Sequence, residues 1–204
     1  MNDNASKPVA VALTGASGAQ YGLRLIECLV AAQVPVYVMV SRAAQVVIAT
    51  ETELKIPSDA AKAQQFLTQQ FGAQAGQIQV FSRENWFAPV ASGSGAASAT
   101  VVCPCSTGSL SAFACGASDN LIERAVDVAL KERRQLILVP REAPYSEIHL
   151  ENMLKLTRMG AVVIPASPGF YHKPQSVAEM IDFVVARILD QLGIEQTLMP
   201  RWGG

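Results

Sequence analysis

Residues 9–22, V-A-V-A-L-T-G-A-S-G-A-Q-Y-G, decide how the rest of the chain is read. An apolar run breaks into glycines and small residues, then resumes with Leu23, Ile26, Leu29 and Val30 at helical spacing. This is a strand feeding a turn feeding a helix. Gly15 and Gly18 carry no Cβ to block a close approach, Ser17 adds a hydroxyl, and a helix start presents N–H groups without intrahelical partners. The turn reads either as an anion site, phosphate foremost, or as a tight turn whose small residues serve packing alone. Its spacing, G-x-x-G-x-x-x-G, is not the G-x-G-x-x-G dinucleotide fingerprint. Roughly twenty residues on, where that fingerprint wants an acid, the second apolar run ends in Ser41 and Arg42. The site suits a mononucleotide and not NAD.

The same logic recurs along the chain. Residues 35–40 read as a buried strand, and Ser41 as the cap of a helix that ends in T-E-T-E and places Glu51 at the carboxyl edge of the sheet. Residues 58–71 form an amphipathic helix pattern, and Val80 and Phe81 a short edge strand. Residues 82–99 are irregular, with Trp86 and the run S-G-S-G-A-A-S-A. By composition that run is a linker, and by its place inside an α/β pattern it is a ligand-facing loop. A strand over 100–103 then enters a second small-residue turn, P-C-S-T-G at 104–108. A helix over 120–134 and a strand over 135–139 follow, the strand running into Pro140, Arg141 and Glu142. Residues 146–159, 161–165 and 176–192 complete the pattern as helix, strand and helix. Apolar strands that do not alternate in polarity, each followed by a helix, argue for a parallel sheet covered on both faces. The expected fold is α/β, a doubly wound parallel sheet in a Rossmann-like or flavodoxin-like three-layer sandwich.

With 204 residues, half of them apolar and 16% charged, the chain can bury one large core. The expected organisation is a single domain over 1–204, with 1–7 a flexible N-terminus and 193–204 a tail closing on the site or on a neighbouring subunit. Sixteen basic residues against 17 acidic ones leave no electrostatic footprint for nucleic acid or an anionic membrane surface. No apolar run approaches the roughly 18 residues of a membrane span, and M-N-D-N-A-S-K-P lacks the regions of a signal peptide. A cytoplasmic protein is expected. Low charge and a mean hydropathy of +0.24 point to apolar surface covered by other subunits, hence a homo-oligomer.

Cys103-Pro104-Cys105 is a poor metal signature without a second pair, and no base nearby activates either thiol. No metal is expected, and the four cysteines fit a reducing compartment as thiols. His149 packs or caps within its helix, while His172, beside Tyr171, is placed to reach a ligand. Arg141 and Glu142 at a strand end, with Arg124, Lys131 and Arg187, either gather around a small phosphate or make surface salt bridges. The chain lacks the D-D-x-x-D run with which many prenyl-transferring enzymes hold magnesium, so a phosphate leaving group here would rely on Arg, Lys and hydroxyls.

Taken in order, L-T-G-A-S-G-A-Q-Y-G (13–22), S-R (41–42), A-T-E-T (49–52), C-P-C-S-T-G-S-L (103–110), D-N-L-I-E-R-A (119–125), V-P-R-E-A-P (139–144) and P-G-F-Y-H-K-P (168–174) resemble the UbiX-type flavin prenyltransferases, earlier described as aromatic acid decarboxylases. The resemblance implies a flavoprotein that joins a dimethylallyl group from dimethylallyl monophosphate to N5 and C6 of reduced FMN, without a metal. Its product, prenylated FMN, would serve a partner UbiD-type decarboxylase, as in ubiquinone biosynthesis. The resemblance places FMN on Gly15, Ala16, Ser17, Ser41, Ser106, Thr107, Gly108, Ser109 and Arg141. It places the dimethylallyl phosphate on Tyr171 and Arg187, with Lys131 and Glu142 reaching the phosphate and Arg124 and Arg141 nearby. Ser17, Glu51, Lys131 and Glu142 would be catalytic, Trp86 would line the prenyl pocket, and Trp202 would close over it. A dodecamer is implied. Two other readings remain: an FMN-dependent decarboxylase of the peptidyl-cysteine type, whose P-x-M-N-x-x-M-W signature is replaced here by P-R-E-A-P-Y-S, and a flavin carrier without turnover.

Overall fold

The computed structural model describes residues 7–199. Trp202 and most of the expected N-terminal segment lie outside them. Six strands, β1 (Val9–Leu13), β2 (Val36–Val40), β3 (Ile78–Phe81), β4 (Ala99–Cys105), β5 (Gln135–Pro140) and β6 (Val162–Val163), form one sheet in the order β3-β2-β1-β4-β5-β6. Every pairing in it is parallel. The strand order reverses between β1 and β4, and open α/β sheets bind ligands in the crevice at the carboxyl ends of such a pair.

Alternation along β1 divides the core. Val9, Val11 and Leu13 face one side, packed with residues of α1 (Ala19–Ala31), α2 (Arg42–Glu51), α3 (Ala60–Gln70) and α7 (Val177–Leu192). Ala10 and Ala12 face the other, against α4 (Thr107–Cys115), α5 (Leu121–Lys131) and α6 (Glu147–Arg158). Helices on both faces of a parallel sheet give the three-layer sandwich expected from the sequence. Arg24 on α1 and Asp182 on α7 meet at 2.7 Å and tie two helices of one layer.

The helix starts follow the expected chemistry. Ser41, Ser146 and Ser176 each accept a hydrogen bond from the third residue beyond, and His149 completes a capping box with Ser146, so it caps its helix. Asn120 accepts from the N–H groups of Ile122 and Glu123 while Glu123 accepts from Asp119 N–H, so the motif D-N-L-I-E builds the start of α5.

Two expectations need correction. The second turn begins at Ser106 and not at Pro104, because β4 extends through Cys105. Pro104 has no N–H for the ladder, and the pairing with β5 shifts register between Val102 and Cys105 around it. The Ser/Gly-rich run is not a free linker. Pro89–Ala91 just before it and Gly93–Gly95 within it form two 3-10 turns seated on α5: Arg124 Nε donates to Ala91 O, and a Cβ at Gly93 would collide with the Glu132 carboxylate.

Candidate active site

The first turn connects β1 to α1 through Gly18, whose φ of 99° is the left-handed region that glycine tolerates. The open N–H groups at the start of α1 have a partner within the chain. Gly18 N–H and Ala19 N–H donate to Glu51 Oε2 at 2.8 and 3.1 Å, and the Ser17 hydroxyl donates to the same carboxylate. The anion at these two N–H groups is the chain's own carboxylate. Gln20 Nε2 donates to Glu51 O at 3.1 Å and fixes the end of α2 over the turn. Gly15 is small for a second reason as well. A Cβ there would stand 2.4 Å from the Ala43 Cβ, so its bareness admits α2.

Electrostatics follow from this arrangement. Burial pushes the Glu51 carboxyl up, but hydrogen bonds from Ser17, Gly18 and Ala19 and the charge of Arg141 outweigh it, and the net shift is downward. Glu51 is a carboxylate at neutral pH. Arg141, at the end of β5, reaches back to donate through Nε to Ser17 O at 3.3 Å. Beside it, Glu142 accepts from the Thr107 hydroxyl at 3.4 Å and from Ala143 N–H. Ser17, Glu51, Thr107, Arg141 and Glu142 thus form one linked group drawn from the ends of three different strands and one helix. Burial pushes the Cys105 thiol up to about 12 and the Cys103 thiol higher still, so neither offers a thiolate near neutrality.

Thr14 stitches the two turns together. Its buried hydroxyl donates to Pro104 O at 2.9 Å and accepts from Ser106 N–H at 2.7 Å. Sequence reasoning passed over it, although a threonine ending an otherwise apolar strand is itself a signal. Ser106 then caps α4 through Ser109 N–H, which leaves the N–H groups of Thr107 and Gly108 without intrahelical acceptors. In front of them lies a cleft of about 370 Å³ lined by Gly15, Ser41, Ser106, Gly108 and Ser109 together with Arg42 and Arg83. A Cβ at Gly108 would meet no atom within 4 Å and would project into open space. Bare backbone, helix N–H groups, hydroxyls and two guanidiniums along one crevice fit a phosphorylated flavin. None of Ser17, Glu51, Arg141 or Glu142 lines the cleft itself.

The remaining expected residues stand apart. Tyr171 and Arg187 line a cavity of about 640 Å³ beside α7, together with tail residues through Met199, and it shares no lining residue with the cleft. Arg187 pairs with Asp190 at 2.7 Å. Lys131 lines a third pocket, which meets the cleft at Phe113 and Glu123, and pairs with its neighbour Glu132. Arg124 pairs with Asp127 at 2.8 Å and donates to Ala91 O, holding the 3-10 turn. Trp86 is about half exposed and lines neither cleft nor cavity. His172 stacks on Phe183 with centroids 5.4 Å apart, within the wall that also holds Tyr171.

Comparisons with known proteins agree with this geometry. The Flavoprotein family model matches residues 1–189. A flavin prenyltransferase UbiX of Pseudomonas aeruginosa is 63% identical over 195 residues, 96% of this chain and 93% of the relative. Among solved structures, AnUbiX (PadA1) in complex with FMN and dimethylallyl pyrophosphate superposes with a TM-score of 0.86 at 39% identity, covering 98% of both chains. A dodecameric FMN-dependent UbiX-like decarboxylase from Escherichia coli O157:H7 gives 0.84 at 37%, covering 97% of this chain and all of that one. With relatives this similar over nearly its whole length, the chain belongs to the Flavoprotein family and, within it, to the UbiX flavin prenyltransferases.

Proposed function

We propose that this protein transfers the dimethylallyl group of dimethylallyl monophosphate to reduced FMN and releases phosphate. Reduced FMN supplies the nucleophilic nitrogen and the ring carbon that take the two new bonds. The observation that carries the reading is the Glu51 carboxylate, held ionised by Ser17, Gly18, Ala19 and Arg141 beside the flavin cleft. A carboxylate positioned in this way can take a proton, and the Ser17 hydroxyl bound to it can pass one along. Arg141 places a fixed positive charge next to Glu142, where a departing phosphate gains from a guanidinium already in position. Ala16 and the bare backbone at Gly15 set how closely a planar ring can lie.

Lys131, Tyr171 and Arg187 sit in other pockets of the same chain, which supports a phosphate site completed by a neighbouring subunit in a homo-oligomer. The dodecameric relative supports the same assembly. Trp86 would line the prenyl pocket of that site. No helix among the described residues is long and apolar enough to cross a membrane, and a cytoplasmic enzyme that hands prenylated FMN to a UbiD-type decarboxylase, in ubiquinone biosynthesis or aromatic acid breakdown, completes the reading.

The test is anaerobic incubation of the protein with reduced FMN and dimethylallyl monophosphate, with the pyrophosphate in parallel, and mass spectrometry of the extracted flavin. A gain of one five-carbon prenyl unit is expected, falling by roughly 10²-fold or more in rate in Glu51→Gln. FMN bound but returned unmodified with both esters would overturn the transferase and favour a flavin carrier.

A further inference from the structure

Two arginines that the proposed reaction does not use stand at the flavin cleft. Arg42 is the first residue of α2, directly after the Ser41 cap, and Arg83 follows the end of β3. Both line the cleft, and both also line a smaller pocket of about 170 Å³ behind it, so together they form the partition between the two.

Neither arginine has a carboxylate partner among the described residues, whereas Arg24, Arg124 and Arg187 are each paired within 2.8 Å. The Arg83 Nε–H is buried with nothing to accept it. A buried guanidinium donor without an acceptor is unfavourable unless something supplies one. Its backbone is fixed, because Leu121 N–H donates to Arg83 O at 2.8 Å. The acidic side chain on the cleft wall, Glu123, does not neutralise the pair. Its two oxygens are engaged by Asp119 N–H and the Asn120 amide at 2.7 Å each.

The charges therefore separate along the site. The carboxylates of Glu51 and Glu142 lie outside the cleft wall with Ser17 and Arg141, and the unpaired guanidiniums lie on it with the hydroxyls of Ser41, Ser106 and Ser109. A phosphate monoester carries close to two negative charges near neutral pH. At one end Arg141 is offset by two carboxylates, whereas on the cleft wall the two guanidiniums meet none and a planar fork can grip two phosphate oxygens at once. The N-terminus of α2 adds to the attraction. We propose that Arg42 and Arg83 form a clamp on the phosphate of FMN, orienting the flavin with its ring toward Glu51 and selecting it over unphosphorylated riboflavin. This rests on the flavin reading above and extends it to specificity.

The test is equilibrium dialysis of the full-length apoprotein against FMN and, separately, riboflavin, for the native protein and for Arg83→Gln and Arg42→Gln. The native protein is expected to prefer FMN. Arg83→Gln should weaken FMN roughly ten- to a hundredfold and Arg42→Gln, at a more exposed position, roughly three- to tenfold, with riboflavin affinity within about twofold of native in both. Because Arg42 is exposed on a helix start, its variant folds whatever happens at Arg83. Equal native affinity for the two flavins overturns the clamp, as does unchanged FMN affinity in both variants, or parallel loss of FMN and riboflavin. Each of those leaves the flavin reading standing. A native protein that binds neither flavin would instead sink that reading itself.

Discussion

At the carboxyl end of β1 the N–H groups of Gly18 and Ala19 donate to the Glu51 carboxylate, whereas at the end of β4 the start of α4 is capped by one hydroxyl, Ser106. Both turns come from the same local recipe, an apolar strand, small hydroxyl residues and a helix. What separates them is a residue more than thirty positions away, brought over the first turn by the end of α2. One helix start is closed by an internal anion and becomes the proposed reactive end. The other keeps its N–H groups facing the cleft and becomes a place to seat a ligand. Equivalent backbone does not imply an equivalent site.

The two turns also depend on each other through Gly22, and substitution there has the largest expected effect. A Cβ at Gly22 would stand 2.2 Å from Cys103 O and 3.1 Å from Leu13 Cδ2. The carbonyl belongs to a buried strand and cannot swing aside. Alanine gains about 1 kcal/mol of helix propensity, but the overlap forces α1 off β4 at a cost of several times that. Gly22→Ala should therefore lose about 2–3 kcal/mol, read as a lower urea midpoint with an unchanged slope. An unchanged midpoint would mean that α1 is not seated on β4 as closely as the comparison requires.

Much of this was readable in the sequence, for identifiable reasons. β1, β2, β4 and β5 are apolar runs bounded by turn residues, and Ser41 and Ser146 announce their helices by side-chain chemistry alone. Local signals carry local structure. Glu51 was readable as a strand-edge carboxylate but not as the cap of α1, since nothing in T-E-T-E specifies which helix it will meet. Arg83 sits in an irregular stretch that carries no pattern, and only the pairing of β3 with β2, whose end leads into Arg42, brings it to the cleft. The seat of the Ser/Gly-rich run on α5 was not legible because composition reports its freedom in the unfolded chain. Its actual partner, α5, begins more than twenty residues later.

Removing the internal anion tests the comparison most directly. Glu51→Ala leaves two helix N–H groups unpaired and should lose about 1–2 kcal/mol at pH 7. The sign with pH follows from the depressed pKa. The folded value lies below the ordinary 4.5, so the contribution is complete above that value and disappears as pH falls through the lower folded one. Native and variant stabilities should accordingly converge in acid. The vacated helix start should also behave as the second turn does. Inorganic phosphate should raise the melting temperature of Glu51→Ala by more than it raises that of the native protein. Equal increments would show that the two turns differ in more than the carboxylate.

The smallest change probes the open turn. Gly108 is the second residue of α4, its missing Cβ would touch nothing within 4 Å, and it lines the cleft. Two effects of opposite sign follow from adding one methyl group there. The empty protein should gain about 0.5–1 kcal/mol, because alanine restricts the unfolded chain and meets no obstacle in the folded one. That corresponds to about 1–4 °C in melting temperature for a chain of this size. FMN affinity should fall roughly tenfold, because the methyl occupies space that a flavin lying against bare backbone needs. Gly22→Ala, by contrast, should lose stability with or without ligand, since its clash is internal. If Gly108→Ala gains stability and binds FMN as before, the flavin does not pass over the start of α4, and the open turn is a packing feature like its counterpart.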